Sequence, residues 1–225
     1  MIKIEHTEVH GWEAAIRGMR NPMNSWERSD SEWEFVEDPS IINPNDEVKF
    51  VIGNNDHDLM MRLAKAGSVH AKYRRMIMVT CDITAPLYWW KEFDTYKVGT
   101  VANSCSTMHK IHAKEFTLDD FSHEHLKSAY KSALGFVIGN LNIARLNYLE
   151  TKDKTYWWQM IQLLPSSYNQ KRTVQLNYEV LVGILRDRQN HKLDEWHTFC
   201  DWIRELPYSE IIDVKGADNE QREAD

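Results

Sequence analysis

The densest run of side chains able to do chemistry lies between Trp89 and His109. Lys91, Lys97 and Lys110 offer positive charge for a phosphate. Gly99, Thr100, Asn103, Ser104 and Ser106 offer backbone N–H groups and hydroxyls, the donors an anion site needs. Trp89, Trp90 and Tyr96 add flat apolar surfaces for a ring system. The same composition also fits an aromatic core helix followed by a plain polar loop. Cys105 is the thiol of the run, with His109 and His112 downstream to serve as base. A nucleophile there requires a lowered thiol pKa and a base within hydrogen-bond reach, whereas a small half-buried thiol requires neither.

Asn177 and Arg188 form a second polar set on a helix predicted from about Thr173 to Asn190. Their spacing of eleven residues is three turns to within about 20° at 3.6 residues per turn. They share a stripe with Ile184, beside the apolar face of Val174, Tyr178, Leu181, Val182 and Leu185. Such a pair either lines a ligand path or forms a solvated helix edge, with Arg188 paired to Asp187 or Asp194. The ten histidines show no metal-ligand spacing: His6 and His10 straddle a strand-to-helix transition, and His123 and His125 point apart on a helix. No metal site is predicted.

These residues need a scaffold. Alternation over Ile2–Val9 and the apolar run Met76–Ile83 predict strands. Helices are predicted over Trp12–Met19, His57–Ala66 (capped within Asn54–Asp56, stopped by Gly67), from Pro86 through Asp94, Ser122–Glu150, Thr155–Leu164 and Lys192–Glu205. Gly135 and Gly139 in the long helix would let another helix approach closely. The Pro-bearing stretch Asn21–Asp46 and the polar stretch Val98–His112 are predicted as loops. The reading is one domain over residues 1–215 and a charged, disordered tail over 216–225.

The 225-residue chain carries a net charge of −7 and 42% hydrophobic residues, which are globular values that speak against a general grip on nucleic-acid polymers. Three cysteines without a CxxC pair fit a reducing compartment. No apolar signal segment or membrane-length run is visible, so a soluble cytoplasmic protein is expected.

The order of these features resembles the flavin-dependent thymidylate synthases. That family carries an Arg-Gln-aromatic step, Arg-His-Arg, a Ser, and then Asn-Glu-x-Ser-x-Arg. Lys91-Glu92-Phe93, Thr95-Tyr96-Lys97 and Thr100 stand at the first three places. After one inserted residue, Asn103-Ser104-Cys105-Ser106-Thr107-Met108 stands at the fourth. The family then shows Leu-Pro, a tight turn and an Asn-led helix ending in an arginine. Here Leu164-Pro165 lies twelve residues before Asn177, and Arg188 eleven after it. His70, six residues before Met76, and the strand leading into Ala85-Pro86 also fit.

The resemblance spans about Gly67 to Pro207. It implies an α/β (α+β) fold with a small sheet and a large helical half, in a homotetramer whose active sites are shared between subunits. It further implies a flavoprotein methyltransferase that converts dUMP to dTMP, with FAD as cofactor and NADPH and methylenetetrahydrofolate as co-substrates. No cysteine attacks the pyrimidine in such a reaction. By the same resemblance Arg188 is catalytic and holds the pyrimidine, Ser104 and Ser106 bind the nucleotide, and His70, Tyr96, Lys97, Asn103 and Asn177 bind the flavin. The alternative is a non-catalytic or altered-substrate homologue that keeps the fold and binds a different pyrimidine nucleotide or ligand.

Overall fold

The computed structural model describes residues 2–35 and 48–214. The predicted tail and part of the predicted loop Asn21–Asp46 lie outside those residues. A four-stranded sheet is built from β1 (Lys3–His10), β4 (Met78–Pro86), β5 (Thr100–Ser104) and β6 (Asn169–Asn177), in the spatial order β1-β4-β6-β5. A separate hairpin joins β2 (Glu32–Phe35) to β3 (Val48–Val51). The helices are α1 (Trp12–Arg20), α2 (Asn54–Lys65), α3 (Leu87–Phe93), α4 (Thr107–Lys110), α5 (Ser128–Thr151), α6 (Lys154–Leu163), α7 (Tyr178–Arg188) and α8 (Asp194–Arg204). A small sheet with a large helical complement is the expected fold class.

The chain divides into two compact units. The first takes the N-terminal segment through Thr7, Thr80–Gln175 and Asn190–Phe199; the second takes Glu8–Val79, Leu176–Gln189 and the segment from Cys200. In the first, α5 and α6 enclose a core of Phe116, Phe121, Leu134, Ile138, Leu141 and Met160. A capping box at Thr117 and Asp120 precedes α5, which begins at Ser128 and not at Ser122 as predicted.

Three predicted segments differ in kind. Thr173–Asn177 is not helix but the end of β6, where Val174 and Leu176 are buried and Thr173 and Gln175 exposed, a period of two. Asn177 is extended, and its side chain caps α7 by accepting from Val180 N–H at 3.1 Å. It therefore does not share a helical stripe with Arg188. Val98–His112 is not simply loop: β5 forms the edge of the sheet, and α4 follows. The predicted loop after α1 contains β2.

In the second unit, the position of α1 against α2 is fixed by a buried ion pair. Arg20 Nε donates to Asp56 Oδ1 at 2.5 Å, and both side chains are almost wholly enclosed. The other carboxylate oxygen accepts from the Ser29 and Ser31 hydroxyls, both at 2.7 Å, and from the backbone N–H groups of Asp30 and Ser31 at 3.1 Å. The remaining guanidinium nitrogens donate to the carbonyls of Ser25 and Arg28. Both charges thus find several partners, the condition under which burial is tolerated.

Burial alone would raise the Asp56 pKa. The two hydroxyls, Arg20 and the Asp30 amide outweigh it and hold the group below the ordinary carboxylate range. The stabilisation is therefore present above the unfolded-state pKa, near 3.9, and is lost as pH falls through the folded value. Asp56→Ala is expected to cost about 3–5 kcal/mol, because it strands a buried guanidinium. Urea unfolding at neutral pH checks the magnitude, and repetition toward low pH should show wild type and variant converging.

Candidate functional site

α3 follows β4 without an intervening residue. Pro86 ends the strand in extended geometry (φ −67°, ψ 151°), and Leu87 and Tyr88 donate their N–H groups to the carbonyls of Tyr168 and Ser166. The aromatic side chains of α3 turn inward. Trp89, Trp90 and Phe93 are buried, with Trp89 stacked on Phe93 at 5.1 Å and 4.8 Å from Trp196. Trp89 and Trp90 are thus core residues, which corrects their reading as surfaces for a bound ring. Trp90 Nε1 donates to the Gln170 carbonyl at 2.9 Å, and the Arg172 guanidinium lies 4.1 Å from its ring while pairing with Asp94 at 2.7 Å. Glu92 accepts from Trp196 Nε1 at 2.9 Å and lies 3.2 Å from His191 Nε2.

Beyond α3 the chain reaches the surface. Tyr96 is half-buried near Phe93 and Trp196, whereas Lys97, Asn103, Ser104 and Ser106 are exposed. Cys105 is pinned through its backbone: its N–H donates to the Lys171 carbonyl at 2.9 Å, and its carbonyl accepts from Gln170 Nε2 at 2.9 Å. Ser106 Oγ caps α4 by accepting from His109 N–H at 3.0 Å, leaving its own proton to donate. Cys105, Ser106, Lys110, Lys114 and Lys171 face a cavity of about 580 Å3. Lys114 is committed to Asp120, and Lys171 to Asp82 at 3.0 Å. Lys110 has no ion pair with any described residue. It is the cation beside Ser106 that an incoming anion can use.

The second unit holds the other predicted residues. His70 is exposed and donates its N–H to the Gly67 carbonyl at 3.0 Å. Asn177 starts α7, and the half-buried Arg188 ends it. Gly67, Ser68, Arg74, Glu179, Gly183 and Arg186 line a cleft of about 420 Å3. Arg74 is buried, 3.6 Å from Glu179 Oε2. Arg74 Nε and Glu179 Oε2 have no hydrogen-bond partner among the described residues. A buried Arg74–Glu179 ion pair in the wall of a cleft, with Arg74 Nε without a hydrogen bond to any described residue, is an arrangement the sequence did not reveal. Arg74 and Arg75 are adjacent and identical in type, and only the fold buries one of them in this cleft. Among the described residues, no three His, Cys, Asp or Glu side chains converge as metal ligands.

No protein-family model and no curated protein matches the sequence. Solved structures match in fold. One is thymidylate synthase X from Helicobacter pylori with FAD and dUMP, at 14% identity over 94% of this chain and 96% of that one, with a TM-score of 0.65. Another structure of the flavin-dependent enzyme from Helicobacter pylori, complexed with FAD and dUMP, gives 15% identity over 93% and 96%, with a TM-score of 0.62. The chain has the flavin-dependent thymidylate synthase fold. A UMP/dUMP methylase, PolB from Streptomyces cacaoi bound with 5-Br dUMP, matches at 11% identity over 91% of this chain and 88% of that one, with a TM-score of 0.55. At such identities the thymidylate synthase likeness is one of fold.

The thiols separate by environment. Burial, with the neighbouring Asp82 charge, pushes Cys81 up to about 12, and burial pushes Cys200 up to about 11, whereas Cys105 is exposed. A disulfide-exchange reagent at pH 8 is expected to modify Cys105 rapidly in the native protein and the other two only after denaturation. Cys105→Ser should abolish the fast phase.

Proposed function

We propose that the chain binds a pyrimidine deoxynucleotide and a flavin, and methylates dUMP to dTMP. Methylenetetrahydrofolate is the carbon donor, and NADPH the reductant that charges FAD. The carrying observation is that Asn177 and Arg188 bracket α7 in a chain that shares its fold, over 94% of its length, with an enzyme crystallised with FAD and dUMP.

The residues present fit such ligands. The Arg74–Glu179 ion pair in the wall of the cleft sets a donor group and an acceptor group side by side, a pairing that suits the amide-like edge of a flavin or pyrimidine ring. His70, Tyr96, Lys97, Asn103 and Asn177 hold the flavin in this reading. The bound flavin supplies the hydride that completes the methyl group. Arg188 holds the pyrimidine, its fixed charge drawing electron density toward a ring carbonyl oxygen. Ser104 and Ser106 bind the nucleotide, with Lys110 beside Ser106 to meet the phosphate.

A second reading rests on the charged motif. Thr95, Tyr96 and Met108 stand where the family has Arg, His and Arg. Each charge-assisted hydrogen bond contributes about 1.5–3 kcal/mol, so their combined loss favours a homologue that keeps the fold and binds a different pyrimidine nucleotide, or does no chemistry. Added FAD should give the purified protein a bound-flavin visible spectrum, and dUMP should be converted when methylenetetrahydrofolate and NADPH are present. Arg188→Ala should abolish turnover while circular dichroism shows the protein still folded. A protein that stays colourless with FAD and leaves dUMP untouched would overturn the enzyme reading.

The proposal includes a soluble cytoplasmic homotetramer with shared sites. No described helix is long and apolar enough to cross a membrane, yet α5 carries Phe136, Ile143 and Leu146 at 75%, 60% and 59% exposure. A Cβ placed at Gly135 or Gly139 would meet nothing within 4 Å. A helix apolar on so much of its circumference calls for cover, and close helix approach at the glycines would supply it. Light scattering should give the mass of four chains, and Ile143→Glu should shift it to a smaller species.

A further inference from the structure

α1 and the β2–β3 hairpin border a cavity of about 530 Å3 that has no part in the reaction proposed above. The hairpin register sets Trp33 directly opposite Phe50, so both side chains stand on one face, with their rings 5.2 Å apart. Trp12 and Tyr208 supply a second aromatic wall, also 5.2 Å apart. Tyr208 has φ 53° and ψ 37°, the left-handed region that a bulky side chain occupies only under constraint. Two hydrogen bonds supply the constraint. The Tyr208 hydroxyl accepts from Ile52 N–H at 3.2 Å, and the preceding Pro207 carbonyl accepts from the Tyr178 hydroxyl at 2.7 Å. The strained residue is thus locked with its side chain lining the cavity, where backbone strain is characteristic of ligand sites.

The charges at the rim select the ligand. Glu13 is engaged, accepting from Trp33 Nε1 at 3.0 Å. Arg17, one turn further along α1, and Lys49, on β3, line the same cavity and form no hydrogen bond or ion pair with any described residue. Aromatic faces alone would welcome a cation, but Arg17 and Lys49 outnumber the single Glu13 carboxylate, which keeps its charge while accepting from the indole, so the rim is net positive and repels one. A flat ring bearing negative charge satisfies both features, with the ring between the aromatic walls and the anion at Arg17 and Lys49. The volume lies within the range of about 300–1,000 Å3 usual for small-molecule sites.

The geometry points to a second small-molecule site here, for a nucleoside monophosphate. It is separate from the residues that carry the proposed dUMP chemistry, so the two readings stand or fall apart. Calorimetric titration of the full chain with AMP and UMP, using adenosine and uridine as uncharged controls, tests it. At least one monophosphate should bind saturably, and its nucleoside should bind about tenfold or more weakly. Trp33→Ala and Arg17→Ala should each weaken the monophosphate about tenfold, whereas Arg188→Ala should leave it unchanged. Trp33 and Arg17 are exposed, so circular dichroism should show both variants folded. The site is refuted if neither monophosphate binds, if nucleoside and monophosphate bind equally, if choline binds in their place, or if both pocket variants retain full affinity.

Discussion

Register in the two central strands is the constraint from which the positions of the candidate residues follow. β4 buries Val79, Cys81, Ile83 and Ala85 at every second residue, and β6 buries Val174 and Leu176 in the same way. On the opposite face Asp82 accepts from the Thr173 hydroxyl at 2.6 Å and pairs with Lys171 at 3.0 Å. A slip of one residue would exchange the two faces and place Asp82 in the core, so the register is strongly specified. Helices spring from both strands without a loop: α3 starts at the residue after Pro86, and α7 at the residue after Asn177. Strand register therefore sets where α3 delivers the chain toward Tyr96 and Ser106, and where α7 ends at Arg188.

The sequence revealed elements wherever burial imposed a period on it. α1, α2, β4, α6 and α8 each lie within a few residues of their predicted places, and each has apolar residues at the spacing its geometry demands. β1 also lies at its predicted place, though its apolar Ile4 and Val9 do not keep a period of two. Two of the failures share a cause. All of β5 past Thr100 is exposed, as is every residue of β2, so neither strand has a buried face to write into its sequence. β6 misled in another way. Val174, Tyr178, Leu181 and Leu185 happen to fit a helical period across what is really a strand-to-helix junction, and only the burial of Leu176 beside exposed Gln175 exposes the coincidence. Among the candidate residues, Ser104, Ser106 and Arg188 could be named from their order along the chain. Arg74 is legible only as a spare cation beside Arg75 with no place assigned to it, and Glu179 is not legible at all, because their burial and pairing arise only when distant segments meet.

Charge commitment separates scaffold from site more sharply than residue type does. Arg20, Arg172, Lys114 and Lys171 are all cations with named carboxylate partners, and their positions are explained by the fold they hold. Lys110, Arg17 and Lys49 sit on concave surfaces without such partners among the described residues. In a chain of net charge −7, a cation left unneutralised at a cavity keeps a local positive potential that surrounding carboxylates would otherwise cancel. Trp89 and Trp90 belong to the scaffold for a like reason. Their rings are consumed by packing, Trp89 against Phe93 and Trp196 and Trp90 against Trp89 and Phe93, so the apolar surface they offered in the sequence is already used.

Arg188, at the end of α7, has a structural role beside the functional one proposed for it. Asn177 satisfies an amide at the N-terminus, and a cation near the C-terminus interacts favourably with the helix dipole, by about 0.3–1 kcal/mol. Arg188 could therefore be read as a helix-stabilising charge. But the last turn already carries Arg186, whose Nε donates to Asp187 at 2.9 Å, and Gln189 N–H closes the helix on the Leu185 carbonyl at 3.1 Å. The helix end is thus provided for without a second guanidinium. Arg188 is also half-buried where Arg186 is exposed, and a guanidinium withdrawn from water is tolerated only where other groups interact with it, as they do with Arg188. Dipole stabilisation does not require that burial, whereas the pyrimidine-holding role proposed above makes use of it.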